Sequence, residues 1–186
     1  MALTQYFVAS TLDGYIADPD DDLGWLLQFD ESSDPDGVGD ANPYDDFIAD
    51  VSVIAMGSTT YEWIQRHDPA GWPYEDRPTY VFTHRSLEPI AGANLIFTDD
   101  HVTDVHAEMT EKAGEGNIWL VGGGDLVGQF LDHGLLDELW LTLAPVTLGA
   151  GAPLLPRRHT EPLRLLSAVA APNGTFAHLR YEVVRT

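Results

Sequence analysis

The chain has 186 residues, 44% of them hydrophobic and none of them cysteine, which is enough to bury one full core and excludes disulfides and thiolate metal sites. Nine Lys and Arg stand against thirty Asp and Glu, for a formal charge of −21. That balance excludes nucleic acid and anionic membranes as partners, because both are held by clustered cations.

No stretch reaches the length of a membrane span, and the start MALTQYFVAS lacks the basic residues and long apolar run of a signal peptide, so a cytoplasmic location is expected. The acidic surplus reads either as a solvated surface or as adaptation to high salt.

Residues 3–10 (LTQYFVAS) read as a buried first strand. Asp13-Gly14 marks the turn that leaves it, and Asp13 is either a turn carboxylate bonded to nearby backbone or a site residue. Residues 18–50 hold twelve of the thirty acidic groups, broken by prolines and glycines, and read as a long loop region. Asp18, Asp20 and Asp22 resemble the start of a calcium loop, but Leu23 and Phe29 occupy the positions that require glycine and glutamate, so calcium is excluded. Trp25, Leu26, Leu27 and Phe29 form an apolar island that either closes a corner of the core or covers a pocket.

Residues 43–50 suit a short helix with Phe47 and Ile48 inward, and residues 51–56 (VSVIAM) a second buried strand ending at Gly57. Ser58-Thr59-Thr60-Tyr61-Glu62 then opens a helix in which Thr59 and Glu62 fit a capping box. Residues 79–83 (TYVFT) are a third strand followed by His84 and Arg85. An Arg just past a strand end is either a phosphate contact or an exposed structural residue. A short strand at 94–97 precedes a helix at 103–112, capped by Thr103, with Val105 and Met109 inward.

Residues 118–131 (IWLVGGGDLVGQFL) read as strand, glycine turn and helix. The helix begins near Asp125 and buries Leu126, Val127, Phe130 and Leu131, and its free N–H groups point back at the glycines as a candidate anion site. It matches neither standard nucleotide fingerprint. Residues 137–146 form a strand buried on both faces, residues 148–155 a glycine loop with an apolar end, and residues 163–170 and 175–184 a hairpin about Pro172-Asn173-Gly174. No His pair has the i, i+4 spacing of a metal site, His101 and His106 being five apart, and none is expected.

About eight strands and four helices imply a single α/β domain over residues 1–186, with a mixed, mostly parallel central sheet and a C-terminal antiparallel hairpin. Ligands bind at the carboxyl ends of parallel strands. Residues 57–60, 83–85 and 122–125 all follow strands, and three phosphate-capable segments on one rim point to a dinucleotide.

Ser10-Thr11-Leu12-Asp13-Gly14-Tyr15-Ile16-Ala17, Met56-Gly57-Ser58-Thr59-Thr60-Tyr61-Glu62, Val121-Gly122-Gly123-Gly124-Asp125-Leu126, Asp137-Glu138-Leu139 and Pro145-Val146-Thr147-Leu148-Gly149-Ala150-Gly151 occur in an order that resembles the dihydrofolate reductase superfamily. Within it, the chain is most similar to the riboflavin-biosynthesis branch, the RibD C-terminal reductase domain, over nearly its whole length. The resemblance implies a three-layer fold and transfer of a hydride from NADPH to a heterocyclic or ribosylated small molecule. The reaction it most resembles is that of 5-amino-6-(5-phosphoribosylamino)uracil reductase. Reduction of dihydrofolate or another pterin is the alternative within that class, and a non-catalytic nucleotide-binding or scaffold protein is the alternative outside it.

Carried over residue by residue, the resemblance implies that Ala9 and Ile16 line the nicotinamide. Gly57, Ser58, Thr59 and Thr60 would meet the pyrophosphate and riboses, with Gly122, Gly123, Gly124, Asp125 and Leu126 on the other side. Thr83, His84 and Arg85 would approach the adenosine 2′-phosphate. Asp13 and Trp25 would belong to a loop beside nicotinamide and substrate, with Asp13 or a water near it as proton source. Ser58 departs from the pattern, since relatives commonly carry Arg or Lys there, and NADH is therefore retained beside NADPH. The folate enzymes place a substrate-binding carboxylate near Asp45 and Asp46. The zinc-deaminase signature that accompanies many of these domains is absent. The strand around Trp140, the loop at 148–155 and the resemblance itself lead to the expectation of a homodimer.

Overall fold

Short apolar runs alternate with turn residues and amphipathic helical stretches along most of the chain, a pattern that buries both faces of a parallel sheet under helices. The computed structural model describes residues 2–29, 43–67, 71–171 and 174–185. Its elements are, in chain order, β1 (Thr4–Thr11), β2 (Tyr15–Ala17), α1 (Gly24–Leu27), α2 (Pro43–Ala49), β3 (Val51–Gly57), α3 (Ser58–His67), β4 (Thr79–Phe82), β5 (Leu95–Thr98), α4 (Val102–Ala113), β6 (Asn117–Gly122), α5 (Gly124–Asp132), β7 (Glu138–Ala144), β8 (Ala152–Pro153), β9 (Arg164–Ala170) and β10 (Ala177–Glu182).

The central sheet has eight strands in the order β5-β4-β3-β6-β1-β7-β10-β9. Every pairing from β5 to β7 is parallel, and β10 runs antiparallel to both β7 and β9. The expected mixed, mostly parallel sheet with a C-terminal hairpin is the observed one. Of the hairpin's turn, Pro172 and Asn173 lie outside the described residues, and the Gly174 N–H donates to the Ala171 carbonyl at 2.7 Å.

Strand alternation sorts the core into two layers. Val53, Ala55, Ile118, Leu120 and Tyr6 meet α4 and α5 through Val105, Met109, Val127 and Phe130. Ile54, Met56 and Trp119 meet α2 and α3 on the opposite face through Phe47, Tyr61 and Ile64. The buried face expected for α5 is the one observed, with Leu126, Val127, Phe130 and Leu131 all buried.

Two local expectations are corrected. Glu62 closes no capping box: α3 begins at Ser58, and the Glu62 carboxylate accepts two bonds from Arg85. Thr103 does not cap α4; His101 is the N-cap, its side chain accepting from the Thr103 N–H. The apolar island divides, with Trp25 buried, Phe29 against Phe176, and Leu27 left 59% exposed.

Sequence reading missed the two-stranded sheet of β2 and β8. Its strands are too short to carry a periodic signal, and their pairing joins residues far apart in the chain.

Candidate active site

The C-terminal edges of β5, β4, β3, β6 and β1 open onto one cleft of about 1020 Å³. That is the upper end of the ordinary range for small-molecule sites, with room for a large cofactor. Thr98, Asp99, Asp100 and His101 line it at β5; Thr83, His84 and Arg85 at β4; and Gly57, Ser58, Thr59 and Thr60 at β3. Gly122, Gly123, Gly124, Asp125 and Leu126 follow at β6, and Ala9, Ile16 and Ala17 complete it around β1 and β2.

The glycine turn is built by close approach. Gly122 has φ +138°, open to glycine and strained for other residues, and its peptide bond to Gly123 is cis. A Cβ on Gly124 would lie 2.3 Å from the Pro153 carbonyl oxygen, so the first turn of α5 fits against the end of β8 only without a side chain. A Cβ on Gly123 would meet nothing within 4 Å. The Val127 N–H donates to the Gly123 carbonyl, and the N–H groups of Gly124, Asp125 and Leu126, one turn earlier, have no helical carbonyl behind them. Those donors and the dipole end of α5 offer an anion seat on the cleft wall. Gly57 brings the start of α3 beside it: a Cβ there would be 3.8 Å from both the Gly122 oxygen and the Gly123 nitrogen.

Two ion pairs set the charge of the walls. Arg85 donates from Nη1 and Nη2 to the two Glu62 oxygens at 3.0 and 2.9 Å. Arg157 donates from Nη2 to Asp125 and from Nε to Asp132, both at 2.9 Å. Its guanidinium beside Asp125, with help from Gln129, holds that carboxyl below the usual carboxylate range. Arg157 is a supporting residue that sequence reasoning missed, and its rarity as one of nine cations was the available signal.

Every residue assigned to the cofactor from the sequence lines this cleft, whereas Asp13 and Trp25 do not. Asp13 accepts from Thr11 Oγ1 at 2.5 Å and from the Leu148 and Gly149 N–H groups, which ties the turn after β1 to the loop before β8. The Thr11 hydroxyl first, then the two backbone donors, lower its pKa, the wrong direction for a proton donor. Trp25 is buried in α1, which presents Leu26 to the cleft, as the residue before it presents Leu23. Asp45 and Asp46 are exposed on α2 and line nothing. Asp21, Leu23, Trp63, Tyr74, Asp99 and His101 also line the cleft and were not foreseen. Asp99 and His101 follow β5, so the rule that ligands gather at strand ends would have flagged them.

A family model for the RibD C-terminal domain matches residues 3–177. The chain belongs to the RibD C-terminal domain family. Its relatives include the uncharacterized protein YwjB of Bacillus subtilis, 35% identical over 81% of each chain. A crystal structure from Shewanella sp. PV-4, of a protein provisionally named for riboflavin biosynthesis, superposes with a TM-score of 0.81 at 25% identity and full coverage of both chains. Dihydrofolate reductase from Enterococcus faecalis, solved with NADP(H), shares the fold at a TM-score of 0.60 and 17% identity, over 97% of this chain and 94% of that one. The dihydrofolate reductase-like architecture of this RibD-type domain is thus shown by comparison as well as by strand order. Among the described residues no helix is long and apolar enough to cross a membrane.

Proposed function

We propose that this RibD-type domain is an NADPH-dependent reductase that delivers a hydride to a C=N or C=O bond of a heterocyclic or ribosylated small molecule, the reaction class that the family resemblance implies. The observation that carries the reading is the convergence of three strand-end segments, at β3, β4 and β6, on one large cleft with unpaired helix donors in its wall. The cofactor supplies the hydride; the protein binds, orients and excludes water. In this reading the α5 and α3 starts hold the diphosphate, and Thr83, His84 and Arg85 face the adenosine ribose. Ala9, small enough for a ring to approach the sheet, and Ile16 flank the nicotinamide.

The test is direct titration with NADPH and NADH, followed by intrinsic fluorescence or calorimetry, on wild type and Gly123→Asp. A Cβ at Gly123 meets no atom within 4 Å, and the charge of the new carboxylate would repel the diphosphate. Wild type is expected to bind NADPH and the variant at least about tenfold more weakly. If wild type binds neither dinucleotide, or both proteins bind alike, the assignment is wrong. NADPH binding without oxidation against pterins, dihydrofolate and aminopyrimidines would favour the non-catalytic alternative.

We also propose that two copies associate. The exposed apolar side chains of the edge strand β9, Leu165, Leu166 and Val169, 52%, 41% and 56% exposed, support this reading, since an uncovered apolar edge invites pairing. Trp140, by contrast, is packed within its own chain, with Phe47 on one side and the Arg180 guanidinium 4.3 Å from its centroid. Sedimentation at micromolar concentration is expected to show a dimer, and a single 20.4 kDa species would reject it.

A further inference from the structure

The cleft has two chemically different ends. At the β4–β5 end it is densely polar and carries Arg85, His84 and His101 together with Asp99 and Asp100. Around β1 and β2, where the proposed function places the substrate, the wall is Ile16, Ala17, Leu23 and Leu26 with the Asp21 carboxylate, and Trp63 and Tyr74 line the cleft from α3 and the connection after it.

The supply of cations within one chain can be counted completely. All nine Lys and Arg of the chain fall within the described residues, and residues 30–42 and 68–70, beside this end in sequence, contain no basic residue at all. Of the nine, Arg85 alone lines the cleft. It follows β4, three strand spacings of about 4.8 Å from β1, so its backbone lies roughly 14 Å from that strand across the sheet. Its charge is moreover already matched by Glu62. The donors of the α3 and α5 starts belong, in the proposed reading, to the cofactor diphosphate, itself an anion that would repel a second phosphate nearby.

We propose that the β1–β2 end of the cleft selects a planar heterocycle or its nucleoside, without a phosphate. Aromatic and aliphatic walls bind a flat ring by burial and stacking. A phosphomonoester there would meet Asp21 and the cofactor diphosphate with no counter-charge. The inference rests on the dinucleotide reading and narrows it: the chemistry remains hydride transfer to a heterocycle, but the phosphoribosyl form is excluded in favour of the dephosphorylated one. A reaction that removes the phosphate, or that never adds it, must supply such a substrate.

The test uses matched pairs that differ by one phosphate: riboflavin against flavin mononucleotide, and uridine against uridine monophosphate. Calorimetric titrations are run on the full chain saturated with NADP⁺, after NADP⁺ binding has been measured by itself. In the pair that binds, the unphosphorylated member is expected to be tighter by roughly tenfold or more, the scale of one uncompensated charge at a partly wet site. The difference is expected to narrow in molar KCl. Asp21→Asn, tolerated because Asn accepts the positive φ found there, is expected to tighten the phosphorylated member more than the unphosphorylated one, so that the gap between them narrows. Equal or tighter binding of the phosphorylated member overturns the proposal, as does failure of all four probes to bind the loaded protein. Failure of NADP⁺ itself to bind overturns instead the dinucleotide reading on which the proposal rests.

Discussion

At the residue scale, the pairing of Arg85 with Glu62 is the contact with most consequence for cofactor choice. Read in sequence, Arg85 is a cation at a strand end and Glu62 the far half of a capping box; folded, they neutralise one another across the space between α3 and β4. Ser58 supplies no second cation, so a 2′-phosphate arriving here has to compete with a carboxylate for the same guanidinium. Glu62→Gln is expected to free Arg85 and shift selectivity towards NADPH. Both side chains are a third or more exposed, so the gain is discounted for solvent, to a rise of roughly three- to tenfold in the NADH/NADPH ratio of dissociation constants. Titration of both nucleotides on both proteins measures it, and an unchanged ratio would show that Arg85 does not face the ribose.

At the scale of the element, the seat of α5 shows how a glycine can serve packing and binding at once. Gly124 begins the helix where the backbone of Pro153 and Leu154 passes closest, and Leu154 is itself fixed by its N–H to the Gly14 carbonyl and by the Tyr6 hydroxyl on its own carbonyl. Gly124→Ala forces α5 away from rigid backbone that cannot yield as a side-chain tip does. The expected cost is about 1–3 kcal/mol, the range for overpacking a fitted site, read as a lower urea midpoint at constant m-value. A variant as stable as wild type would mean that the α5 start is loosely seated. Strands and helix faces were legible because their apolar periodicity is local; the caps were not. His101 rather than Thr103 caps the start of α4, and the Glu62 side chain turns to Arg85, because each local capping signal had to compete with neighbours outside its own short window.

At the scale of the whole molecule, a charge of −21 on 186 residues stores repulsion that added salt screens. The melting temperature is expected to rise between low salt and molar KCl, by about 2–4 °C for each kcal/mol of repulsion relieved in a domain of this size. A melting temperature unchanged across a KCl series would remove the high-salt reading of the composition. The same scarcity of cations bears on the proposed site: a diphosphate bound there would have to lean on the helix-end N–H groups of α3 and α5.

The sequence by itself determined the order of the eight central strands and the four longer helices, the buried face of α5, the parallel sheet and the three rim segments, because each rests on a short-range pattern: period two, period 3.6, or a glycine after an apolar run. Tertiary structure alone decided the job of Asp13. Its position beside a turn was legible, but its partners Leu148 and Gly149 lie about 135 residues on, and only the folded chain brings them to it. The same holds for the pairing of β2 with β8 and for Glu62 across from Arg85. Local patterns fix what each segment becomes; which charges meet, and so which ligands the cleft can hold, depends on contacts that sequence separation hides.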